Sequence, residues 1–218
     1  MKRPFDLTAK CSAHPQQLLA VCYALAAALW LVCCFVGSAV MLNHKMDGSM
    51  RTLTLSDTEL SYESFANYHD LEWSEPPTTA DNWYLSTDND PHIFWQGTAY
   101  VETVRLDANH DLPAGSVALY YLLPGQTDYS ERQKVFAHLA APGHYTFDLG
   151  GKSVTGLRID PDSVGGVPTQ LEGVELNPES PWYLRFVPNG GQWLLLLLGP
   201  AMAAALLGLV LALPQKDD

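Results

Sequence analysis

Cysteine is scarce in this chain and is confined to one end of it. The 218 residues include four cysteines, Cys11, Cys22, Cys33 and Cys34, and none follows position 34. A disulfide therefore cannot stabilise the rest of the chain, although an oxidising compartment would permit one. The roughly 140 residues of the middle segment must be held together by a hydrophobic core, and a segment of that length can bury one.

The chain also lacks the common catalytic motifs. None of its seven histidines pairs at i, i+4 as a zinc-protease helix requires, and residues 43–191 contain no G-x-S-x-G nucleophile turn. The segment "GGKSVTG", Gly150–Gly156, has Thr146 where a phosphate-binding loop needs its first glycine. Acidic pairs are too frequent here to indicate a glycosidase. These absences predict a protein that is not an enzyme.

Charge is missing from two long runs. Residues Leu18–Leu42 and Trp193–Leu213 contain 25 and 21 residues without a charged side chain. Because an α-helix rises 1.5 Å per residue, about 20 residues cross the ~30 Å hydrocarbon layer of a bilayer. The runs therefore predict two transmembrane helices, at 18–42 and 192–213, and a lipid bilayer as partner.

The first run has an alternative interpretation as a secretory signal peptide. Basic residues precede it, and Gly37-Ser38-Ala39 resembles a small-x-small cleavage site. However, the apolar stretch before that site is longer than the usual 7–15-residue core of a signal peptide. We therefore favour an uncleaved anchor.

Basic residues predict the orientation of the chain. Lys2, Arg3 and Lys10 outnumber Asp6 in the tail formed by residues 1–17, which is typical of a cytoplasmic segment. Two spans return the short tail 214–218 to the same side. The predicted location is the cell membrane, with two passes, both termini cytoplasmic and residues 43–191 extracytoplasmic.

Positive charge is also scarce in the middle segment. Residues 43–191 hold 21 acidic and eight basic side chains, a formal charge of −13. Such a surface repels the phosphates of nucleic acids, so we exclude a nucleic-acid partner.

Helix patterns are rare between the two spans, whereas short strand patterns are frequent, among them "HIFW", "YVETVRLDA" and "WYLRFV". In "HYTFDL", the side chains of Tyr145, Phe147 and Leu149 alternate with polar ones, the period of a half-buried strand. "LRI" repeats that alternation and directs Arg158 away from Leu157 and Ile159, towards a carboxylate expected on a neighbouring strand. The segment Ser130–Ala140 fits either a helix or a loop leading into a strand. Turns rich in Gly and Pro separate the strands, which predicts a mainly β fold.

The order of these segments resembles a galactose-binding-like jelly-roll domain. The resemblance covers most of Thr52–Pro178 and rests on the following motifs: "LSDTEL" (Leu55–Leu60), "STDNDPHIF" (Ser86–Phe94), "LYYLLPGQTDYSE" (Leu119–Glu131), "HYTFDLGG" (His144–Gly151), "LRIDPDSVGG" (Leu157–Gly166) and "LEGVEL" (Leu171–Leu176). Such domains occur in extracytoplasmic parts of bacterial membrane proteins linked to surface-polysaccharide assembly. The resemblance implies a single jelly-roll or β-sandwich ectodomain flanked by two transmembrane helices, and it implies no catalytic residue.

Aromatic side chains are the best candidates for a ligand site, because sugar rings stack their C–H faces on aromatic rings. The predicted glycan-binding residues are Trp83, Tyr84, Trp95, Tyr121, Tyr129 and Arg158. The turn "STDNDP" offers hard oxygen ligands of the kind that Ca²⁺ takes. A structural calcium held by Asp88, Asp90 and Asp160 is therefore a second hypothesis, and no other cofactor is expected.

These observations favour a non-catalytic, membrane-anchored accessory protein of bacterial envelope glycan assembly. Its expected partners are a glycan or a larger membrane glycosyltransferase or exporter. Three alternatives stay open: a polysaccharide chain-length regulator, a purely structural subunit of such a complex, and an extracytoplasmic glycan-active enzyme.

Overall fold

The structure of the protein is a computed structural model that describes residues 15–67 and 82–212. The predicted cytoplasmic tails, 1–17 and 214–218, lie outside the described residues except for positions 15–17. The chain divides into two compact units. We call the unit Met41–Glu179 the β domain, and the unit formed by Met1–Val40 and Ser180–Asp218 the helical unit.

The described residues of the β domain form ten strands. They are β1 (Leu53–Leu55), β2 (Leu60–Glu63), β3 (Phe65–Asn67), β4 (Trp83–Ser86), β5 (His92–His110), β6 (Ala118–Leu122), β7 (Lys134–Phe136), β8 (His138–Ala141), β9 (His144–Asp160) and β10 (Pro168–Leu176). All of them belong to one antiparallel sheet with the central order β3-β4-β10-β5-β9-β6-β7. Strand β1 pairs with β10, β2 with β5, and β8 with β9.

Two long strands, β5 and β9, connect two halves of this sheet. The first part of β5, His92–Gln96, pairs with β2 and with the last residues of β9, Gly156–Ile159. The later part, Thr103–His110, pairs with β10 and with the first residues of β9. Register shifts in the β5–β9 ladder separate the two halves. Bulges of this kind bend a strand and allow one sheet to fold over a core.

Both halves contribute side chains to a single hydrophobic core. In the first half the buried residues are Ile93, Trp95, Leu119, Tyr121, Leu157 and Ile159. In the second half Val104, Leu106 and Phe147 are completely buried. One cluster therefore fills the space between two sheet layers, as in a β-sandwich.

A bulge changes which residues of β5 face this core. Trp95, Ala99 and Val101 are buried before the register shift at Val101–Thr103, and Val104 and Leu106 are buried after it. The inward set thus changes from odd to even positions. Asn177, with a positive φ of 50°, accepts a hydrogen bond from the backbone N–H of Glu102 (2.8 Å) and donates to the carbonyl of Tyr100 (2.8 Å). This side chain therefore stabilises the bulge.

The helical unit contains two long helices, α1 (Pro15–Met46, which extends into the β domain) and α2 (Gly190–Ala212). Both are long and apolar enough to cross a membrane. Within the unit, the hydroxyl of Tyr23 donates a hydrogen bond to the carbonyl of Leu197 (2.6 Å). Leu197 precedes Pro200, a proline inside α2 that lacks the N–H needed by the preceding turn.

The mainly β class and the two flanking apolar helices confirm the fold class predicted from the sequence. Several strand limits differ. "HIFW" and "YVETVRLDA" form the single strand β5, and the segments predicted around Tyr145 and Arg158 form the single strand β9. The segment Ser130–Ala140 is a one-turn helix, Glu131–Gln133, followed by β7 and the start of β8.

One predicted strand is wrong. The segment "WYLRFV" forms a 3₁₀ helix, Trp182–Phe186. Hydrogen bonds from the N–H of Leu184 to the carbonyl of Pro181 and from the N–H of Val187 to the carbonyl of Leu184, each 3.0 Å, close its turns. Pro181 has the fixed φ that suits the start of such a turn, and this local effect is stronger than the β preference of the aromatic residues.

Candidate functional site

The candidate site lies on the outer face of the first half of the sheet. Strand register places one side chain from each of four neighbouring strands in a row: Phe94 of β5, Arg158 of β9, Tyr120 of β6 and Lys134 of β7. The next row contains Asp160, Ala118 and Phe136, with His92 of β5 two residues before Phe94. The core residues alternate with these positions, so both rows point away from the core.

Arg158 is the centre of the polar part of the site. Its Nε and one terminal nitrogen donate to the two carboxylate oxygens of Asp160, both at 2.8 Å. The same terminal nitrogen lies 3.9 Å from Oδ1 of Asp90. The hydrogen bonds to Asp160 raise the pKa of the Arg158 guanidinium above its ordinary value. The side chain is therefore a fixed cation with a fixed orientation.

His92 lies between the two carboxylates of this cluster. Its Nδ1 is 3.0 Å from Oδ1 of Asp160, and its Nε2 is 3.3 Å from Oδ2 of Asp90. The imidazole is buried, whereas the carboxylate of Asp90 is 73% exposed. The four polar side chains therefore form one connected network that reaches solvent through Asp90.

Two cations cover the ring of Tyr120. The guanidinium carbon of Arg158 lies 4.4 Å from the ring centroid and Nζ of Lys134 lies 5.0 Å from it, distances at which cations attract an aromatic face. The hydroxyl of Tyr120 donates to Oε1 of Glu131 (2.8 Å). Burial under these groups raises the pKa of Tyr120. This packing fixes the positions of both cations.

Aromatic rings border the polar cluster. The centroids of Phe94 and Tyr129 are 5.9 Å apart, and the planes of the rings are tilted by 42°. The hydroxyl of Tyr129 occupies space beside Gly156, where an added Cβ would lie 3.1 Å from it. Glycine at this position therefore allows the Tyr129 ring to lie close to the sheet. Burial raises the pKa of the Tyr129 hydroxyl.

The structure brings two of the predicted glycan-binding residues together, Arg158 and Tyr129. Trp95 and Tyr121 belong to the core cluster, where they are 7% and 8% exposed, so their rings are not available to a ligand. Trp83 and Tyr84 lie on β4, away from this row. There the ring of Tyr84 stacks on that of Tyr62 with centroids 4.9 Å apart.

The predicted calcium ligands are divided between two sets of contacts. Asp90 and Asp160, together with His92, form the one group of potential metal ligands found among the described residues. Asp88 instead accepts hydrogen bonds from the hydroxyl of Ser64 and from the N–H of Asp90. Both oxygens of Asp160 already bind Arg158, so a metal ion there would compete with the guanidinium. This donor set fits Ca²⁺ poorly, because Ca²⁺ takes about six to eight oxygen ligands and only the carboxylate of Asp90 is free to supply them.

Sequence reasoning missed Phe94, Tyr120, His92 and Lys134 as members of the site. The alternation in "HIFW" placed Phe94 and His92 opposite the core residues Ile93 and Trp95. This alternation indicates which residues of β5 face outward. Only the strand order shows that β5, β9, β6 and β7 form one outer face.

Known structures similar to this chain are carbohydrate-binding modules. One is a fucose-binding module of Streptococcus pneumoniae, with 13% identity and a TM-score of 0.35, covering 45% of this chain and 73% of that module. A second is a low-affinity xylan-binding module of Roseburia intestinalis, with 14% identity and a TM-score of 0.35 over 58% of this chain and 95% of that module. A third is a family 32 carbohydrate-binding module of C. perfringens in complex with galactose, with 8% identity and a TM-score of 0.37 over 58% of this chain and 98% of that module.

At such low identities, no binding residue is transferred from these modules to this chain. No protein-family model matches the chain, and no curated protein matches it.

Proposed function

We propose that the β domain binds a glycan on the face formed by Phe94, Tyr129, Arg158, His92 and Asp90. One observation carries the proposal: an aromatic pair and a fixed network of hydrogen-bonding groups adjoin on one outer face of a rigid sheet. Ligand sites typically combine apolar surface with a few oriented polar groups. A sugar ring presents both an apolar C–H face and hydroxyl groups, so it suits this combination.

The two kinds of group have different roles in this proposal. The exposed edges of Phe94 and Tyr129 stack against the C–H face of a sugar ring. The carboxylate of Asp90 accepts hydrogen bonds from hydroxyl groups, and the guanidinium of Arg158 donates to ring or hydroxyl oxygens. Because Asp160 and Tyr120 hold Arg158 in place, binding costs little side-chain entropy.

We further propose that the protein is a membrane-anchored, non-catalytic accessory of bacterial envelope glycan assembly. The two apolar helices support anchoring. The orientation that we propose has the β domain outside the cell membrane and both termini in the cytoplasm. The carboxylate of Asp160 is saturated by Arg158 and His92, which suits positioning rather than proton transfer. A larger glycosyltransferase or exporter in the same membrane is the proposed partner.

A glycan array probed with the full-length protein in detergent tests the binding role. We expect binding to at least one class of glycan, and the variants Phe94→Ala and Tyr129→Ala should each weaken it by about tenfold. Leu139→Ala is the matched control, because Leu139 is an exposed apolar residue of β8 in the other half of the sheet. If no glycan binds, or if both aromatic variants bind like the wild type, the proposal is wrong.

Co-purification from native membranes tests the accessory role. A stable complex with a membrane glycosyltransferase or exporter supports it. A protein that shows no glycan binding but does form such a complex would be a purely structural subunit.

A further inference from the structure

Two anions of the candidate site face solvent, whereas its two cations are mostly covered. The side chains of Arg158 and Lys134 are 20% and 22% exposed. Those of Asp90 and Glu131 are 73% and 76% exposed. The carboxylates of Asp90 and Glu131 therefore form an outer rim, whereas Asp160, the bidentate partner of Arg158, is only 11% exposed.

The surrounding residues add to this negative rim. Glu63 of β2 is exposed and lies opposite His92 in the strand register. Asp128 is exposed in the loop that carries Tyr129. The cationic groups in the rows themselves, Arg158 and Lys134, are engaged with Asp160 and Glu131. The nearest exposed cation along the chain is Arg132, which adjoins Glu131 in a one-turn helix.

We infer that the glycan taken by this face carries free amino groups, as in a polymer of unacetylated amino sugars. This inference rests on the proposed glycan-binding role of the same face. An ammonium group on the sugar is attracted by the exposed carboxylates of Asp90 and Glu131, whereas a uronic acid or a phosphate is repelled by them. Arg158 and Lys134 are each paired with a carboxylate, so their charges are already neutralised towards an acidic ligand.

Neutral sugars provide the comparison that tests the inference. A glucosamine oligosaccharide and its fully N-acetylated form share one backbone and differ in charge, so stacking on Phe94 and Tyr129 is open to both. Calorimetry of the full-length protein in detergent at about pH 6 keeps an ordinary amine protonated. We expect the amino form to bind about tenfold more tightly at low salt, and the difference to shrink as salt is added.

The variants Asp90→Asn and Glu131→Gln remove the charges of the rim and keep the size of the side chains. Each should weaken binding of the amino form several-fold more than it weakens binding of the N-acetylated form. Asp111→Asn is the matched control, because it changes the net charge equally but lies in the turn after the opposite end of β5. It should preserve the preference.

The outcomes separate this inference from the proposed function. Equal binding of the two oligosaccharides, or tighter binding of the N-acetylated or an acidic one, overturns the inference and leaves the glycan-binding role in place. Loss of preference in Asp111→Asn to the same extent as in Asp90→Asn would also overturn it, since the effect would then be one of overall charge. Failure to bind any glycan on the array overturns both.

Discussion

At the residue scale, His110 is a half-buried base whose neutral form the fold favours. Its Nδ1 lies 3.0 Å from the hydroxyl of Thr169, whereas its Nε2 is buried and has no hydrogen-bond partner among the described residues. Burial lowers the pKa of His110, and the negative charge of Asp162 offsets that effect only in part. Protonation of His110 therefore opposes folding.

This arrangement predicts a loss of stability in mild acid. The unfolded chain binds a proton at His110 near its ordinary pKa of about 6.5, whereas the folded chain binds it only at lower pH. Stability therefore falls as the pH drops below about 6.5, and the loss ends once the pH is below the lowered pKa of the folded state. Thermal unfolding of the full-length protein at about pH 7.5 and about pH 5.5 measures this effect.

The variant His110→Gln isolates the contribution of this residue. Glutamine keeps a hydrogen-bonding group near Thr169 and does not titrate, so the unfolding temperature of the variant should fall less between the two pH values. The carboxylates that titrate in the same range are common to both proteins. An identical pH dependence in wild type and variant would show that His110 stays as easily protonated in the fold as in the unfolded chain.

The residues around Arg158 show which side-chain directions and contacts can be predicted from the sequence alone. The alternation around Leu157 and Ile159 correctly predicted an inward and an outward set, and it directed Arg158 to the outer face. The partner of Arg158 was expected on a neighbouring strand, but the bidentate partner is Asp160, two residues along the same strand. Two residues on one face of a strand lie close enough for this contact, which competes with cross-strand pairing.

At the element scale, the sequence correctly indicated two apolar helices and many short strands but divided the longest strands. The glycines at positions 97, 150 and 151 resemble turn signals, and in the structure they lie within or beside bulges of β5 and β9. Both Gly150 and Gly151 have positive φ, which glycine adopts without strain. A turn and a bulge can both require a residue with positive φ. Only the pairing of the strand with distant residues therefore distinguishes them.

The site depends on the same non-local information. Four of its members lie on strands that are neighbours in space but separated by up to 64 positions in the chain, from Phe94 to Arg158. Composition and periodicity identify the outward residues of each strand. They do not determine which strands are adjacent, so Tyr120 and Lys134 could not be assigned to the site in advance.

Within the helical unit, a side-chain hydrogen bond connects α1 and α2. Pro200 has no N–H to donate to the carbonyl of Leu196, and its ring opens the turn that contains Leu197. The hydroxyl of Tyr23 hydrogen-bonds to the carbonyl of Leu197. This bond holds the turn that Pro200 opens, and in lipid no water competes for it. Tyr23→Phe should therefore destabilise the helix pair by about 1 kcal/mol.

A double-mutant cycle tests this role of Tyr23. In Pro200→Ala the N–H returns and donates to the carbonyl of Leu196, so the turn that contains Leu197 closes without Tyr23. The cost of Tyr23→Phe should therefore be smaller in the Pro200→Ala background, as measured by unfolding in a denaturing detergent. Equal costs in both backgrounds would mean that Tyr23 does not compensate for the proline.

At the scale of the whole molecule, the proposed topology predicts which surfaces are accessible from outside the cell. After the four native cysteines are changed to serine, a cysteine introduced by Leu112→Cys lies in an exposed turn of the β domain. A membrane-impermeant maleimide should label it in intact cells. A cysteine introduced by Asp218→Cys should react only after the membrane is permeabilised.

The two labelling sites act as controls for each other. Labelling of position 218 but not of position 112 in intact cells would reverse the proposed orientation. Labelling of both would indicate a second run that does not span the membrane.

The bulge between Val101 and Thr103 has a consequence for how this protein tolerates change in chain length. Before the bulge the odd-numbered residues of β5 face the core, and after it the even-numbered residues do. Deleting one residue there would force the amino-terminal part of β5 to rotate by half a turn, so that His92 and Phe94 would enter the core and Ile93 and Trp95 would face solvent. The loss of a single codon at this point would thus exchange the inner and outer faces of the amino-terminal part of β5, while the carboxy-terminal part of the same strand kept its place.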